Sequence, residues 1–231
     1  MKNILHKFIT YKNGFTLAEV LITLVIIGVI AALTIPTAIN NTKEQELKSQ
    51  FAKAYSTISQ GLNKTVMNDF YGCVDCAYFR KAGSAEFDYT KTKTSDCPAF
   101  YEALAKNLQV QKVCKGNSKA DGCIPAYKSY ASGSGCTGFN QNHVENINHS
   151  YVLANGQIIN IYGGNGGALF LVDINGHKGP NAPGYDLFGF KIARSEDNLT
   201  SYYIDFEACM PPASGGRNTY QMMQYALIGK K

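Results

Sequence analysis

Hydrophobic and polar positions divide the chain into stretches of unlike periodicity. Phe15 to Ile35 reads FTLAEVLITLVIIGVIAALTI, 21 residues in which Glu19 is the single ionisable side chain. As a helix at about 1.5 Å per residue this run spans roughly 30 Å, the thickness of a bilayer core. A helix buried in a globular core is the alternative, but such helices seldom run this far without a polar face. Further on, Leu47, Phe51, Ala54, Tyr55, Ile58, Leu62 and Val66 recur at spacings of three and four. They make one apolar stripe, and Lys48, Gln50, Lys53, Gln60 and Lys64 fall between them. The pattern predicts one helix from Phe15 to about Asn68, roughly 80 Å long, with a weak point at Pro36. Its first half suits lipid or other subunits and its second half packs on a globular domain. A coiled coil over 44–67 is the competing reading.

Beyond residue 70 the helical period gives way. Residues 72–148 read as loops with one short helix at Pro98–Leu108, where Phe100, Leu104 and Leu108 share a face. After residue 150 strands dominate. Ser150–Ala154 and Gln157–Tyr162 flank Asn155-Gly156, a two-residue hairpin signal. Ala168–Ile174 is an apolar strand ending at Asn175-Gly176, and Asp186–Ala193 and Ser201–Phe206 are further strands. Residues 218–228 fit a C-terminal helix. The expectation is an α+β architecture: a long N-terminal helix packed on an antiparallel β-meander of about four strands. The domain order follows as 1–14 a leader, 15–35 a membrane-spanning half-helix, 36–69 an amphipathic half-helix and 70–231 an exported globular domain.

Charge adds topology to this picture. Lys2, Lys7 and Lys12 precede the apolar run without any acid, and the charges from Lys43 to Lys48 are mixed in sign. The positive-inside rule keeps the N-terminus in the cytoplasm and places the remainder outside. An ordinary signal peptide would be cut after the apolar run, where Ala31-Ala32-Leu33-Thr34 is a poor match. Those three lysines also supply most of the net charge of +5 (22 basic against 17 acidic residues), so the exported part carries no basic footprint for nucleic acid. A mean hydropathy of −0.16 excludes a multi-span membrane protein.

The residues Gly14-Phe15-Thr16-Leu17-Ala18-Glu19, followed by the uninterrupted apolar helix to Pro36, resemble the type IV prepilin signature. The resemblance covers about the first 60 residues. It implies a pilin-like fold and a structural, non-enzymatic role. It further implies that prepilin peptidase/N-methyltransferase cuts after Gly14 and methylates the new N-terminal Phe15. Glu19, a carboxylate costly to place in lipid, would pair with the terminal amine of a neighbouring subunit. The expected product is a subunit of a type II secretion pseudopilus or a related filament, assembled from copies of itself or other pilin-like subunits by a platform protein and an ATPase. A surface type IV pilin, major or minor, is the alternative within the family. From another class the alternative is a membrane-anchored extracytoplasmic binding or thiol-redox protein. The expected location is the inner (cytoplasmic) membrane, crossed once, before assembly into an envelope or surface filament.

Two further features carry chemistry. All seven cysteines (Cys73, Cys76, Cys97, Cys114, Cys123, Cys136 and Cys209) follow residue 70, on the side where disulfides persist. Spacing does not fix their connectivity; proximity suggests Cys73–Cys76 and Cys123–Cys136. The Cys73-x-x-Cys76 spacing also occurs in thiol oxidoreductases, but no strand-then-helix context supports it. Zinc would need histidine partners better grouped than His143, His149 and His177. The loop from Asp173 to Asp186 is rich in oxygen donors and would suit Ca²⁺ through Asp173, Asn175 and Asp186, against the plainer reading of an Asn-Gly turn with a proline-stiffened loop. Major pseudopilins of the resembling family bind calcium in a C-terminal loop. No nucleotide-binding, zinc-protease or serine-hydrolase motif occurs, and Gly163–Gly167 opens no helix.

Overall fold

The computed structural model describes residues 14–70, 74, 76–80, 97–128, 141–164, 167–195, 202–206 and 215–229. The leader expected over residues 1–14 therefore lies outside them except for Gly14. The chain divides into two units, Met1–Glu44 and Gln45–Lys231.

Helix α1, Leu17–Asn68, runs through both and contains Pro36. In the first unit the Leu, Ile and Val side chains from Leu17 to Ile39 are exposed. In the second unit the same helix buries Phe51, Ala54, Ile58, Leu62 and Val66 of the predicted stripe, with Gly61 and Thr65 beside them, while Leu47 and Tyr55 are partly buried. Gly61 allows close approach here, since a Cβ at this position would lie 2.6 Å from Leu108 Cδ2. Helix α2, Cys97–Asn107, contributes Phe100, Tyr101 and Leu104 to the core. The Asn107 side chain donates to Thr65 Oγ1 at 3.1 Å and to Asp69 Oδ2 at 3.0 Å, fastening the ends of the two helices.

Among the described residues the sheet has seven strands: β1 (Tyr78–Arg80), β2 (Val110–Lys115), β3 (His149–Leu153), β4 (Ile158–Gly164), β5 (Gly167–Asp173), β6 (Leu187–Ser195) and β7 (Tyr202–Phe206). Strands β2 to β7 pair antiparallel in chain order, and β1 pairs parallel to β6. The α+β layout, with a long apolar N-terminal helix and an antiparallel sheet, is that of a pilin-like fold. The five strand segments read from the sequence are present as β3–β7, one more than the meander of about four strands expected, and two further strands extend the sheet. The additions, β1 and β2, lie in the region read as loops; β2 is marked by a register shift between Val110 and Lys112 that breaks its alternation.

Both faces of the sheet are covered. Phe170, Val172, Phe188, Phe190 and Ile159 face the core built by α1 and α2. Leu169, Leu171, Leu187 and Ile158 face a second core with Ile124, Tyr127 and Val144. This explains the continuous apolar run of β5, which belongs to a strand buried on both sides. The Asn155-Gly156 connection is one residue longer than expected: Leu153 N–H donates to Gln157 O, and Gly156 sits at φ +84°, a three-residue turn with glycine in the left-handed position.

The disulfides differ from the pairs suggested by proximity. Cys76 bonds Cys97 and Cys114 bonds Cys123, with Cα separations of 5.2 and 6.3 Å. The physical reason is topological. Cys97 begins α2 and is buried beside Cys76, whereas Cys123 lies in the loop that folds over the second core against β2. Cys73, Cys136 and Cys209 lie outside the described residues. With Cys76 bonded to Cys97, the C-x-x-C segment does not close on itself. At the C-terminal end, α3 (Thr219–Met223) opens with an Asn218–Gln221 capping box and passes into a π-helical turn at Gln224–Ile228.

Candidate functional site

Two places hold the residues singled out by the sequence. The first is the start of α1. Gly14 and Phe15 directly precede the helix and are exposed. Thr16 occupies the N-cap position and Glu19 the third helical position, a capping box. The Thr16 backbone N–H and hydroxyl both donate to Glu19 Oε2 at 2.8 Å, and Glu19 N–H donates to Thr16 Oγ1 at 3.2 Å. Thr16 was not among the residues singled out by the sequence; its T-x-x-E spacing to Glu19 is the local signal for it. From this end α1 is long and apolar enough to cross a membrane, and none of its most apolar stretch is buried in the protein. An exposed apolar surface of this extent marks a membrane or a partner surface. Pro36 lies inside α1 and cannot supply the N–H that would meet the Ala32 carbonyl. Two residues earlier, Thr34 Oγ1 donates to Ile30 O at 2.9 Å.

The second place is the connection from β5 to β6. The structure brings Asp173, Asn175 and Asp186 together. Asp173 is buried, and its Oδ1 accepts from Asn175 N–H at 3.2 Å and Gly176 N–H at 2.8 Å. Asp186 is buried as well, and its two oxygens accept from Asn181 N–H at 2.7 Å and Ala182 N–H at 2.8 Å. Burial, and then the neighbouring Asp186 carboxylate, pushes the Asp173 carboxyl well above the usual carboxylate range, against the pull of its hydrogen-bond donors. Burial also raises Asp186, opposed by the N–H groups of Ala182 and Asn181.

Three buried oxygens of this loop accept no hydrogen bond: Asp173 Oδ2, Asn175 Oδ1 and Asn181 Oδ1. Buried oxygens of this kind normally find a partner. One carboxylate and two amide oxygens suit a hard cation such as Ca²⁺, supplemented by main-chain carbonyls. Asn181, at φ +52°, was not among the residues read from the sequence. Among the described residues, no three His, Cys, Asp or Glu side chains are grouped to hold a metal ion, so any ion here would depend on amide and main-chain oxygens. The histidines His143, His149 and His177 lie at a π-helical turn, at the start of β3 and in the Asp173–Asp186 loop.

Comparison with known proteins bears on the first place. Residues 9–35 match the family model described as the prokaryotic N-terminal methylation motif. No curated protein and no solved structure matches the chain. The matched segment takes in the Gly14-Phe15 junction, the Thr16–Glu19 capping box and the apolar helix up to the residue before Pro36, and with it the chain carries the type IV prepilin signature.

Proposed function

We propose that this protein is a structural, non-enzymatic subunit of a type II secretion pseudopilus or a related type IV pilus-like filament. The observation that carries the reading is the joining of the methylation motif to an exposed apolar helix with one carboxylate near its start. Prepilin peptidase cuts after Gly14 and methylates Phe15. Lys2, Lys7 and Lys12 hold the leader in the cytoplasm, and the domain from about residue 45 lies outside. A platform protein and an ATPase then draw subunits from the membrane, and Glu19 meets the terminal amine of a neighbour in a dry environment where an unpaired charge is disfavoured. Mass spectrometry tests processing: the mature chain begins at N-methylated Phe15. An intact Met1, or a cut after Thr34, overturns the proposal. Immunogold microscopy separates its two forms, since long labelled surface fibres mean a pilus and labelling confined to the envelope means a pseudopilus.

The Asp173–Asp186 loop supports a second element of this reading. We propose that Asp173, Asn175 and Asp186, joined by Asn181, hold Ca²⁺ in the exported domain. Bound there, the ion would neutralise two buried carboxylates and satisfy oxygens otherwise left without partners. A melting temperature indifferent to millimolar Ca²⁺ removes this element and leaves the filament reading standing.

A further inference from the structure

The π-helical turn at Gln224–Ile228 has two unlike sides. Met222 just before it is buried, and Met223, Tyr225 and Ala226 pack against the core shared with α1. Leu227 and Ile228 point away from that core and are 40% and 57% exposed. Two cations stand over the Tyr225 ring, Lys48 Nζ at 4.7 Å from its centroid and the Arg217 guanidinium at 4.3 Å. Gly229 ends the turn at φ +76°, and Lys230 and Lys231 follow in the sequence. Exposed aliphatic side chains, an aromatic ring with a polar tip and several basic groups on one short segment suit the boundary between lipid headgroups and acyl chains.

The position of the turn in its unit agrees. Lys48 lies in the first helical turn of the unit that begins at Gln45. Its contact with Tyr225 holds the π-helical turn at the end where the chain enters that unit. Residues 36–44 are all that separates the apolar run from Gln45, a reach of about 35 Å even at full extension. While the apolar run lies in a bilayer, this end of the exported unit therefore stays beside the lipid surface.

We propose that the Tyr225–Ile228 face, with its basic neighbours, docks the exported domain on the anionic surface of the bilayer while the subunit is anchored there. Leu227 and Ile228 enter the headgroup boundary, and the basic groups meet lipid phosphates. A second copy paired through the same face would set cations against cations, which disfavours it as the occupant. The inference rests on the membrane anchoring in the reading above and is independent of filament assembly.

The sequence contains no tryptophan, so a single introduced one reports alone. Full chains carrying Ile228→Trp, Met67→Trp or Leu24→Trp are reconstituted at few copies per vesicle in mixed phosphatidylcholine and phosphatidylglycerol, with brominated acyl chains as quencher. Met67 is exposed and lies about 28 Å further along α1 than Lys48 at the usual rise per residue. The expected result is quenching of Leu24→Trp and Ile228→Trp but not of Met67→Trp. The docked-to-undocked ratio of Ile228→Trp should fall about fivefold for each of Lys230→Gln and Lys231→Gln, and fall again when phosphatidylglycerol is left out. An unquenched Ile228→Trp beside a quenched Leu24→Trp overturns the docking and leaves anchoring intact. An unquenched Leu24→Trp overturns anchoring and docking together. Blue-shifted emission from Ile228→Trp without quenching puts a second copy on this face and overturns the lipid contact. Quenching of Met67→Trp equal to that of Ile228→Trp, or quenching indifferent to phosphatidylglycerol, overturns the specific role of this face.

Discussion

Phe51 of α1 stands edge-on to Phe188 of β6, with ring centroids 5.0 Å apart and planes at 84°. Phe51 also meets Phe190 at 5.6 Å. All three side chains are buried, and through them the amphipathic part of the helix is held to strand β6. Edge-to-face rings contribute beyond their buried area. Phe51→Ala is expected to lower the stability of the exported domain by about 3–5 kcal/mol, the usual result of emptying a buried aromatic site. Phe51→Leu should cost less than half of that. Chemical denaturation of the processed chain in micelles, followed by tyrosine fluorescence, measures both; equal midpoints for wild type and Phe51→Ala would detach the helix from the core described.

Gly176 has a different constraint. It sits at φ +67°, and a Cβ there would lie 2.2 Å from the Gly156 carbonyl oxygen. Two turns, after β3 and after β5, thus meet backbone to backbone, and neither side can yield a flexible side-chain end. Gly176→Ala combines left-handed strain with a steric clash. The expected outcome is a loss of about 2 kcal/mol or more. Gly122→Ala, at φ +67° but with nothing within 4 Å, should lose only the conformational part. The difference between their denaturation midpoints isolates the clash.

The disulfides rank by the loops they close. Cys76–Cys97 spans 21 residues and Cys114–Cys123 spans 9. Closing the longer loop removes more freedom from the unfolded chain, and each bridge is worth about 2–4 kcal/mol. Replacing Cys76 and Cys97 together by alanine should therefore destabilise the domain more than replacing Cys114 and Cys123. Paired-alanine variants unfolded in denaturant without reductant give the comparison. The reverse order would mean that Cys114–Cys123 acts chiefly by holding the loop of Tyr127 and Ile124 over the second core.

What was legible in the sequence follows from how local each signal is. The stripe from Phe51 to Val66 and the strands from β3 to β7 are written in periodicity, and the structure has them. The capping box at Thr16 is equally local, carried by the spacing of Thr16 and Glu19. Strand β2 was hidden by its bulge, and by a burial pattern in which only Cys114 is fully covered. Disulfide partners and the covering of the second sheet face depend on contacts between distant segments, which no window of sequence contains. Asn181 is of the same kind: only the fold of the loop brings its main chain to Asp186.

Asp173 and Asp186 predict how stability varies with pH. Burial, and for Asp173 the neighbouring carboxylate, raises both above the usual range. The folded state therefore holds these protons more tightly than the unfolded chain, whose aspartates ionise near pH 3.9. The sign follows directly: their contribution to stability is complete below about pH 3.9 and is lost as pH rises through the raised native values. In the absence of divalent cations, the melting temperature of wild type should fall relative to that of Asp173→Asn as pH is raised from 4 to 7.5. The asparagine keeps an oxygen for the N–H groups of Asn175 and Gly176 but carries no charge to bury. Millimolar Ca²⁺ should restore the wild type at pH 7.5, have less effect at pH 5 where protons compete for the same carboxylates, and leave Asp173→Asn little changed. Parallel pH profiles for the two proteins would show that the Asp173 carboxyl is not strained by burial. A wild-type response to Ca²⁺ that survives in Asp173→Asn would place the ion elsewhere in the chain.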